Sequence, residues 1–405
     1  MPEPRLVLVG PSPGLTDRAA VLGIDAFVVT SPEKLAGSAP AAAPALVLDY
    51  VRDPLLVPLV QAAHERTPFR ACVSTTEDGL LPAARLDEAL ELDWVSVETV
   101  EAMRDKVRMR ERLAWAGLSP VATRLCQSVE DVEELAAEVG LPLVLKPPDG
   151  MASEGVQLVS SVADAEAAIA AAGGPLLAEE FLDGPELSVE SFSFHGRHVV
   201  LAVTEKTVLG RGRGRFVEVG HALPARLAEE TRAEVVRVVG EVLDALGLAE
   251  GAAHTEIKLT PAGVRVIETH NRPGGDHILE LVRLVTDVDL DELTLRWAAG
   301  TVAALEEPVP TRGAAAIRFL VPPPGRVESV AGADSLAGTP GVAAVEVTVR
   351  PGDELGEVLS STDRSGHVLC VGDDVPEAIE RCARALKRIA IGYARAEPAR
   401  ALVPA

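Results

Sequence analysis

The chain has 405 residues, enough for two or three domains and a sizeable core. Its 47% hydrophobic and 24% charged residues are those of a globular protein, and a net charge of −23 argues against nucleic acid or an anionic membrane as main partner. The start MPEPRLVLVG lacks a basic region followed by a long apolar run, and Cys72, Cys126, Cys370 and Cys382 have neither metal nor disulfide spacing, so a soluble protein of a reducing cytoplasm is expected.

Arg5-Leu6-Val7-Leu8-Val9 reads as a strand entering a turn at Gly10 to Gly14. With further strands near 26–29 and 45–48, the opening alternation predicts a small open parallel α/β domain up to about Asp93. The glycine loop lacks a full dinucleotide fingerprint and reads as a turn, and the Ala/Pro run over 37–45 as a loop or linker. A helix is predicted over 97–116, capped by Ser96, with Val100, Met103 and Val107 on one face and Gly117 and Pro120 after its end. Lys106 lies on it among Arg104, Arg108 and Arg110, a pattern that also describes a solvated lysine. Lysine is scarce, however: Lys34, Lys106, Lys146, Lys206, Lys258 and Lys387 are all there are among 38 basic residues.

Residues 141–159, LPLVLKPPDGMASEGVQLV, read as a strand ending on Lys146, a loop with Gly150, Ser153 and Gly155, and a second strand over 156–159. Small residues let backbone N–H groups close on phosphate oxygens, and a lysine at the strand end can neutralise an α- or β-phosphate. The next segment, 176–194, reads as a strand, then Glu179-Glu180-Phe181-Leu182, a turn at Asp183-Gly184-Pro185, and a strand with alternating Glu186, Ser188 and Glu190. Taken alone it is a hairpin with acidic residues.

Residues 252–278, AAHTEIKLTPAGVRVIETHNRPGGDHI, carry the most information. Strands over 253–259 and 264–270 flank Thr260-Pro261-Ala262-Gly263, the pattern of a three-residue hairpin loop with a glycine bulge. Pairing Thr260 with Val264 puts Glu256 opposite Glu268 and His254 opposite His270, with Ile257, Leu259 and Ile267 on a face that can be buried. Opposed side chains sit roughly 4.5–5.5 Å apart at Cβ, where like charges destabilise. A divalent cation between the two carboxylates is therefore expected, and loss of one charge should relieve the repulsion.

Taken in order, the helix lysine, strand lysine, glycine loop, acidic hinge and two-glutamate hairpin followed by Arg272 resemble the ATP-grasp superfamily over roughly 97–299. The resemblance implies an N-terminal open parallel α/β domain (1–95), an ATP-grasp core of two α+β lobes (96–305) and a small C-terminal α/β lobe (311–396). It implies that Lys106 and Lys146 bind ATP phosphates under the loop with Ser153 and Gly155. Glu179, Glu180, Phe181 and Leu182 would meet the adenine, largely through backbone, and Glu186 the ribose. Glu256 and Glu268 would hold one or two Mg2+ ions (Mn2+ substituting), with Asn271 or His270 as third ligand because many members have asparagine where His270 stands. Arg272 would steady an acyl phosphate.

A narrower likeness is to the L-amino-acid ligases. FVEVGHALPARL resembles their segment that brings a histidine, here His221, near the reacting carboxyl, and NRPGGDHI with Gly274 and Gly275 resembles their substrate loop. The tail, with a strand over 342–349 and a helix over 376–390, resembles their extra C-terminal lobe, with Glu306-Glu307-Pro308-Val309-Pro310 as linker. The function implied is an ATP-dependent ligase that joins a carboxylate to an amine, both amino acids, giving ADP and phosphate. A thiol or carbamate acceptor, or a non-catalytic ATP-binding protein, stays open, as does a homodimer.

Overall fold

The structure, a computed structural model, describes residues 5–38, 44–149, 154–209 and 216–394. The chain forms two compact units: one from Met1–Gly150, Gly155–Glu205 and Leu223–Arg312, the other mainly from Lys206–Ala222 and Gly313–Ala405. No helix among the described residues is long and apolar enough to cross a membrane.

The first unit opens with a parallel four-stranded sheet in the spatial order Ala45–Val47, Asp25–Thr30, Arg5–Val9, Ala71–Val73. Strand Arg5–Val9 is central because both its faces are apolar: Leu6 and Leu8 pack into one core, Val7 and Val9 into another. At both ends of the loop expected over 37–45 the backbone is regular. Gly37 and Ser38 end the helix Pro32–Ser38, Ala45 begins a strand, and residues 39–43 lie outside the described residues.

The single helix expected over 97–116 is two helices, Val97–Arg104 and Lys106–Trp115. Ser96 caps the first as expected. Asp105 breaks the run: it adopts extended backbone (φ −91°, ψ 108°), and its carboxylate accepts the N–H groups of Val107 and Arg108. An aspartate that can cap competes with helix continuation, and here it wins. Lys106 thereby begins a helix instead of lying within one.

An antiparallel sheet follows in the order Thr123–Cys126, Leu176–Glu180, Leu143–Lys146, Gln157–Val159, backed by helices Val129–Val139 and Val162–Ala172. A further antiparallel array runs Gly263–His270, Glu250–Thr260, Glu186–Phe194, Arg197–Leu209. Its apolar face, with Val189, Ile257 and Val266, packs on Val235, Val239, Val242 and Leu246 of the helix Glu229–Leu246 and on Met103, Met109 and Leu113. Side chains alternate along strands, so Glu190, His254 and Glu256 fall on the opposite face, and a register shift after Val266 brings Glu268 there as well.

In the second unit, strands Val217–Leu223, Ala314–Phe319, Gly366–Gly372 and Val342–Val347 lie in that order. The helix Val375–Leu386 buries Val375, Ala378, Cys382 and Ala385 against the sheet residues Ala314, Ala316, Val368 and Cys370. That helix ends four residues before the expected boundary, and Ala390–Tyr393 is a strand.

Candidate functional site

The hairpin Glu250–Thr260 and Gly263–His270 has the expected outcome by a different route. Glu256 is paired with Glu268 and His254 with His270. The loop, however, is only Pro261–Ala262: Thr260 pairs with Gly263, and the Thr260 hydroxyl accepts the Ala262 N–H at 3.2 Å. The extra residue sits further along, where Ile257 pairs with Val266 and Ile267 is left over as a bulge. A turn one residue short and a bulge one residue long cancel, so the glutamates still face each other. Ile267 is half-buried and not part of the main core.

The bulge is pinned by Arg110. Its guanidinium donates to Val266 O (2.7 Å) and Ile267 O (3.1 Å), and its Nε to Glu179 Oε1 (2.6 Å). The other oxygen of Glu179 meets Lys146 Nζ at 2.6 Å. Arg110, Lys146 and Glu179 are all buried. Burial pushes the Glu179 carboxyl up, but Lys146 and then Arg110 outweigh it and hold the group at about 2. Burial pulls the Lys146 ammonium below its ordinary value despite Glu179. Glu179, expected in the stretch that meets the adenine largely through backbone, thus has its side chain committed to Arg110 and Lys146.

The carboxylates are not left to repel each other. Lys106 Nζ lies 2.9 Å from Glu268 Oε2, and His270 Nε2 lies 3.3 Å from Glu268 Oε1. Against the cost of burial, Lys106, His270 and Lys146 hold Glu268 well below the usual carboxylate range. Glu256 Oε1 has His254 Nε2 at 3.3 Å. Burial lowers the affinity of His254 for a proton, yet Glu190 and then Glu256 raise its pKa to about 9. The expectation of bare repulsion is corrected: each carboxylate already has a basic side chain against it.

Arg272 is held by Glu77 (Nε to Oε2, 2.8 Å) and by Pro273 O (3.0 Å), while Arg104 Nε takes the other Glu77 oxygen at 3.0 Å. His270, not Asn271, touches Glu268. Asn271 lines a small cavity with Ser74, Thr75 and Trp94, and its buried Oδ1 has no partner among the described residues. The Gly274 N–H donates to Glu190 Oε2 at 3.0 Å, whereas Gly275 faces open space. Glu180 spends its N–H on Ala122 O (2.9 Å) and accepts Ala122 N–H with its carboxylate (3.0 Å). Lys258 Nζ sits 5.8 Å from the Phe181 ring centroid and 3.4 Å from Glu186. Leu182 is half-buried in irregular backbone after the strand Leu176–Glu180. Gly155 has φ +72°, and a Cβ there would come 3.0 Å from Pro147; Ser153 lies outside the described residues. His221 belongs to the second unit, fully buried, with Nε2 3.2 Å from Glu218 and its ring edge-on to Phe319.

Sequence reasoning overlooked Arg110, Glu190 and Glu77. A signal existed for Arg110, which stands one turn after Lys106 on the same helix face. Glu190 faces His254 across the pairing of Glu186–Phe194 with Glu250–Thr260, a register between distant segments. Glu77 comes from the N-terminal sheet's helix Glu77–Ala89 and has no local signal at all.

Residues 16–92 match the family model for the ATP-grasp N-terminal domain, 170–280 that for the ATP-grasp domain, and 318–394 that for L-amino acid ligase C-terminal domain 2. The chain carries an ATP-grasp domain. Among curated relatives, an uncharacterized protein, y4rH, of Sinorhizobium fredii (strain NBRC 101917 / NGR234) is 32% identical over 299 residues, 72% of this chain and 62% of that protein. Alanine–anticapsin ligase of Bacillus subtilis (strain 168) is 29% identical over 258 residues, 56% and 54% of the two chains. The match thus spans less than two thirds of these relatives. The crystal structure of an L-amino acid ligase from Bacillus licheniformis has the same fold, with TM-score 0.82, 24% identity and coverage of 97% of this chain and 99% of that one. Glu256 and Glu268, opposed and each 17% exposed at the side chain, give an oxygen donor set that fits the divalent ion an ATP-grasp site implies.

Proposed function

We propose that the protein is an ATP-dependent ligase that joins the carboxylate of one amino acid to the amine of a second, through an acyl phosphate, releasing ADP and phosphate. The observation that carries this reading is the hairpin: two carboxylates opposed across it, with Lys106 and Lys146 beside them and Arg272 anchored just beyond. The names of the relatives, alanine–anticapsin ligase and an L-arginine-specific L-amino acid ligase among them, support amino acids as the substrate class. We take residues 1–95, 96–305 and 311–396 as the three functional domains.

Glu256 and Glu268, with His270 or Asn271, would hold magnesium, which when bound supplies neutralising charge to the ATP phosphates; manganese, which also favours oxygen donors, would serve too. Lys106 and Lys146 add fixed positive charge where the γ-phosphoryl group leaves ADP. The backbone at Glu180 and Leu182, with Phe181, would take the adenine, and Glu186 the ribose. Arg272, with its Nε committed to Glu77, keeps a planar face of donors for phosphoryl oxygens. His221 would orient the reacting carboxyl. The amine of the second substrate then displaces phosphate from the acyl carbon and loses a proton. The protein's part is positioning and charge, not covalent chemistry.

A phosphate-release screen over pairs of amino acids, followed by mass spectrometry, tests this. ADP, phosphate and a dipeptide are expected; AMP and pyrophosphate would sink the mechanism.

A further inference from the structure

Each hairpin glutamate has a histidine two residues away on its own strand, and the two histidines are a directly opposed pair. Each histidine ties its glutamate to a second glutamate from another element. On one side, Glu256 Oε1 meets His254 Nε2 at 3.3 Å, His254 Nδ1 meets Glu190 Oε1 at 2.5 Å, and Glu190 Oε2 accepts the Gly274 N–H at 3.0 Å. On the other, Glu268 Oε1 meets His270 Nε2 at 3.3 Å, His270 Nδ1 lies 3.3 Å from Glu77 Oε2, and that oxygen accepts Arg272 Nε at 2.8 Å. Both chains of contact end in one short stretch of loop, at Arg272 and Gly274.

This arrangement is costly unless it does something. Glu190 is fully buried, and an apolar residue of similar size would fill its place without the desolvation of a carboxylate. The loop is also pressed onto the pair: a Cβ at Gly274 would stand 2.7 Å from His254 Nδ1 and 3.0 Å from Glu190 Oε1. Gly274 therefore follows any movement of the His254–Glu190 pair.

We propose that His254–Glu190 and His270–Glu77 are positioning pairs that couple cation capture between Glu256 and Glu268 to the placement of Arg272 and Gly274. The coupling rests on the ligase reading above. A carboxylate that turns toward a cation changes its contact with the imidazole; His254 then moves with Glu190, because that contact (2.5 Å) is shorter than the one to Glu256 (3.3 Å), whereas His270 stands 3.3 Å from both Glu268 and Glu77 and shares the shift between them. Outer partners of this kind orient the groups that touch an ion. Linkage makes the effect reciprocal: whatever orders the loop also tightens the cation by the same factor.

The test is hydrogen exchange at residues 271–277 of the full chain, with ADP alone and with ADP plus Mg2+. In the wild type, Mg2+ should slow exchange of the Gly274 amide by about tenfold beyond ADP alone. His254→Asn keeps a donor toward Glu190 but has no atom to reach Glu256. Its Mg2+-dependent slowing should drop below about twofold, while calorimetric Mg2+–ADP affinity stays within about fivefold. A purely structural role would raise exchange equally with and without Mg2+. Should His254→Asn fail to fold, Glu190→Gln makes the same test, since its amide opposes His254. Full slowing in a folded variant overturns the proposal, as does a wild type that binds Mg2+–ADP without any slowing. A wild type that binds no Mg2+–ADP overturns the ligase reading and the coupling with it.

Discussion

Glu179→Gln probes a deeply buried charge of the site. Glu179 joins Arg110 and Lys146, both at 2.6 Å, and all three side chains are less than a tenth exposed. Its carboxyl stands at about 2 against an ordinary 4.5, because Lys146 and Arg110 outweigh the opposing effect of burial. That gap corresponds to about 3 kcal/mol of stabilisation of the native state. Lys146 is itself drawn below its ordinary value by burial, so part of this gain is offset. Glutamine leaves two buried cations without their anion, and a loss of about 2–4 kcal/mol is expected. A carboxylate with a depressed pKa stabilises fully above its unfolded value and loses that contribution as pH falls through its folded value. Urea unfolding of wild type and variant should therefore differ most near neutral pH, and the difference should close between pH 4.5 and about 2. A loss under about 1 kcal/mol at neutral pH, or a difference that stays flat on acidification, would refute the bridge.

Glu268→Gln should lower the melting temperature of metal-free protein, by roughly 1–3 kcal/mol of stability, because Lys106 and His270 lose their anion. A variant that melts at or above wild type would restore the idea of simple repulsion. Arg272→Lys should bind nucleotide in calorimetry much as wild type does, yet lose more than about tenfold in kcat, since an ammonium cannot hold Glu77 and also present a fork. Turnover within about threefold, under 1 kcal/mol, would remove Arg272 from the transition state. Gly274→Ala should cost roughly 1–3 kcal/mol in denaturant melts through its clash with His254 and Glu190; an unchanged midpoint would mean the loop is not pressed on the pair.

How far the sequence could be read depended on the span of each contact. The opposition of Glu256 and Glu268 is local: only parity between two strands joined by a short turn decides it, so a misread turn and an unseen bulge could cancel. The parallel order around Arg5–Val9 followed from apolar runs separated by helices, although strand Ala71–Val73 is too short to announce itself. The row Glu190–His254–His270 depends on how Glu186–Phe194 aligns with a strand some sixty residues later, which no local pattern states. The break at Asp105 was concealed because the helical periodicity continues across it while the capping carboxylate redirects the backbone. Glu179 looked like a hinge residue because its neighbours are acidic and exposed-looking; its partners, Lys146 and Arg110, come from two other elements.

The bulge at Ile267 also separates the mechanics of the hairpin into two zones. Arg110 grips the chain at the carbonyls of Val266 and Ile267, and everything toward the carboxylates lies behind that grip. Pro261 and Ala262, both exposed at the far end, lie ahead of it. Strain introduced at the tip is absorbed over the pairs from Ile257–Val266 to Thr260–Gly263 before it reaches Glu256. The tip is therefore the natural place to graft a fluorophore or an affinity handle: a reporter there travels with the hairpin and stays out of the chemistry.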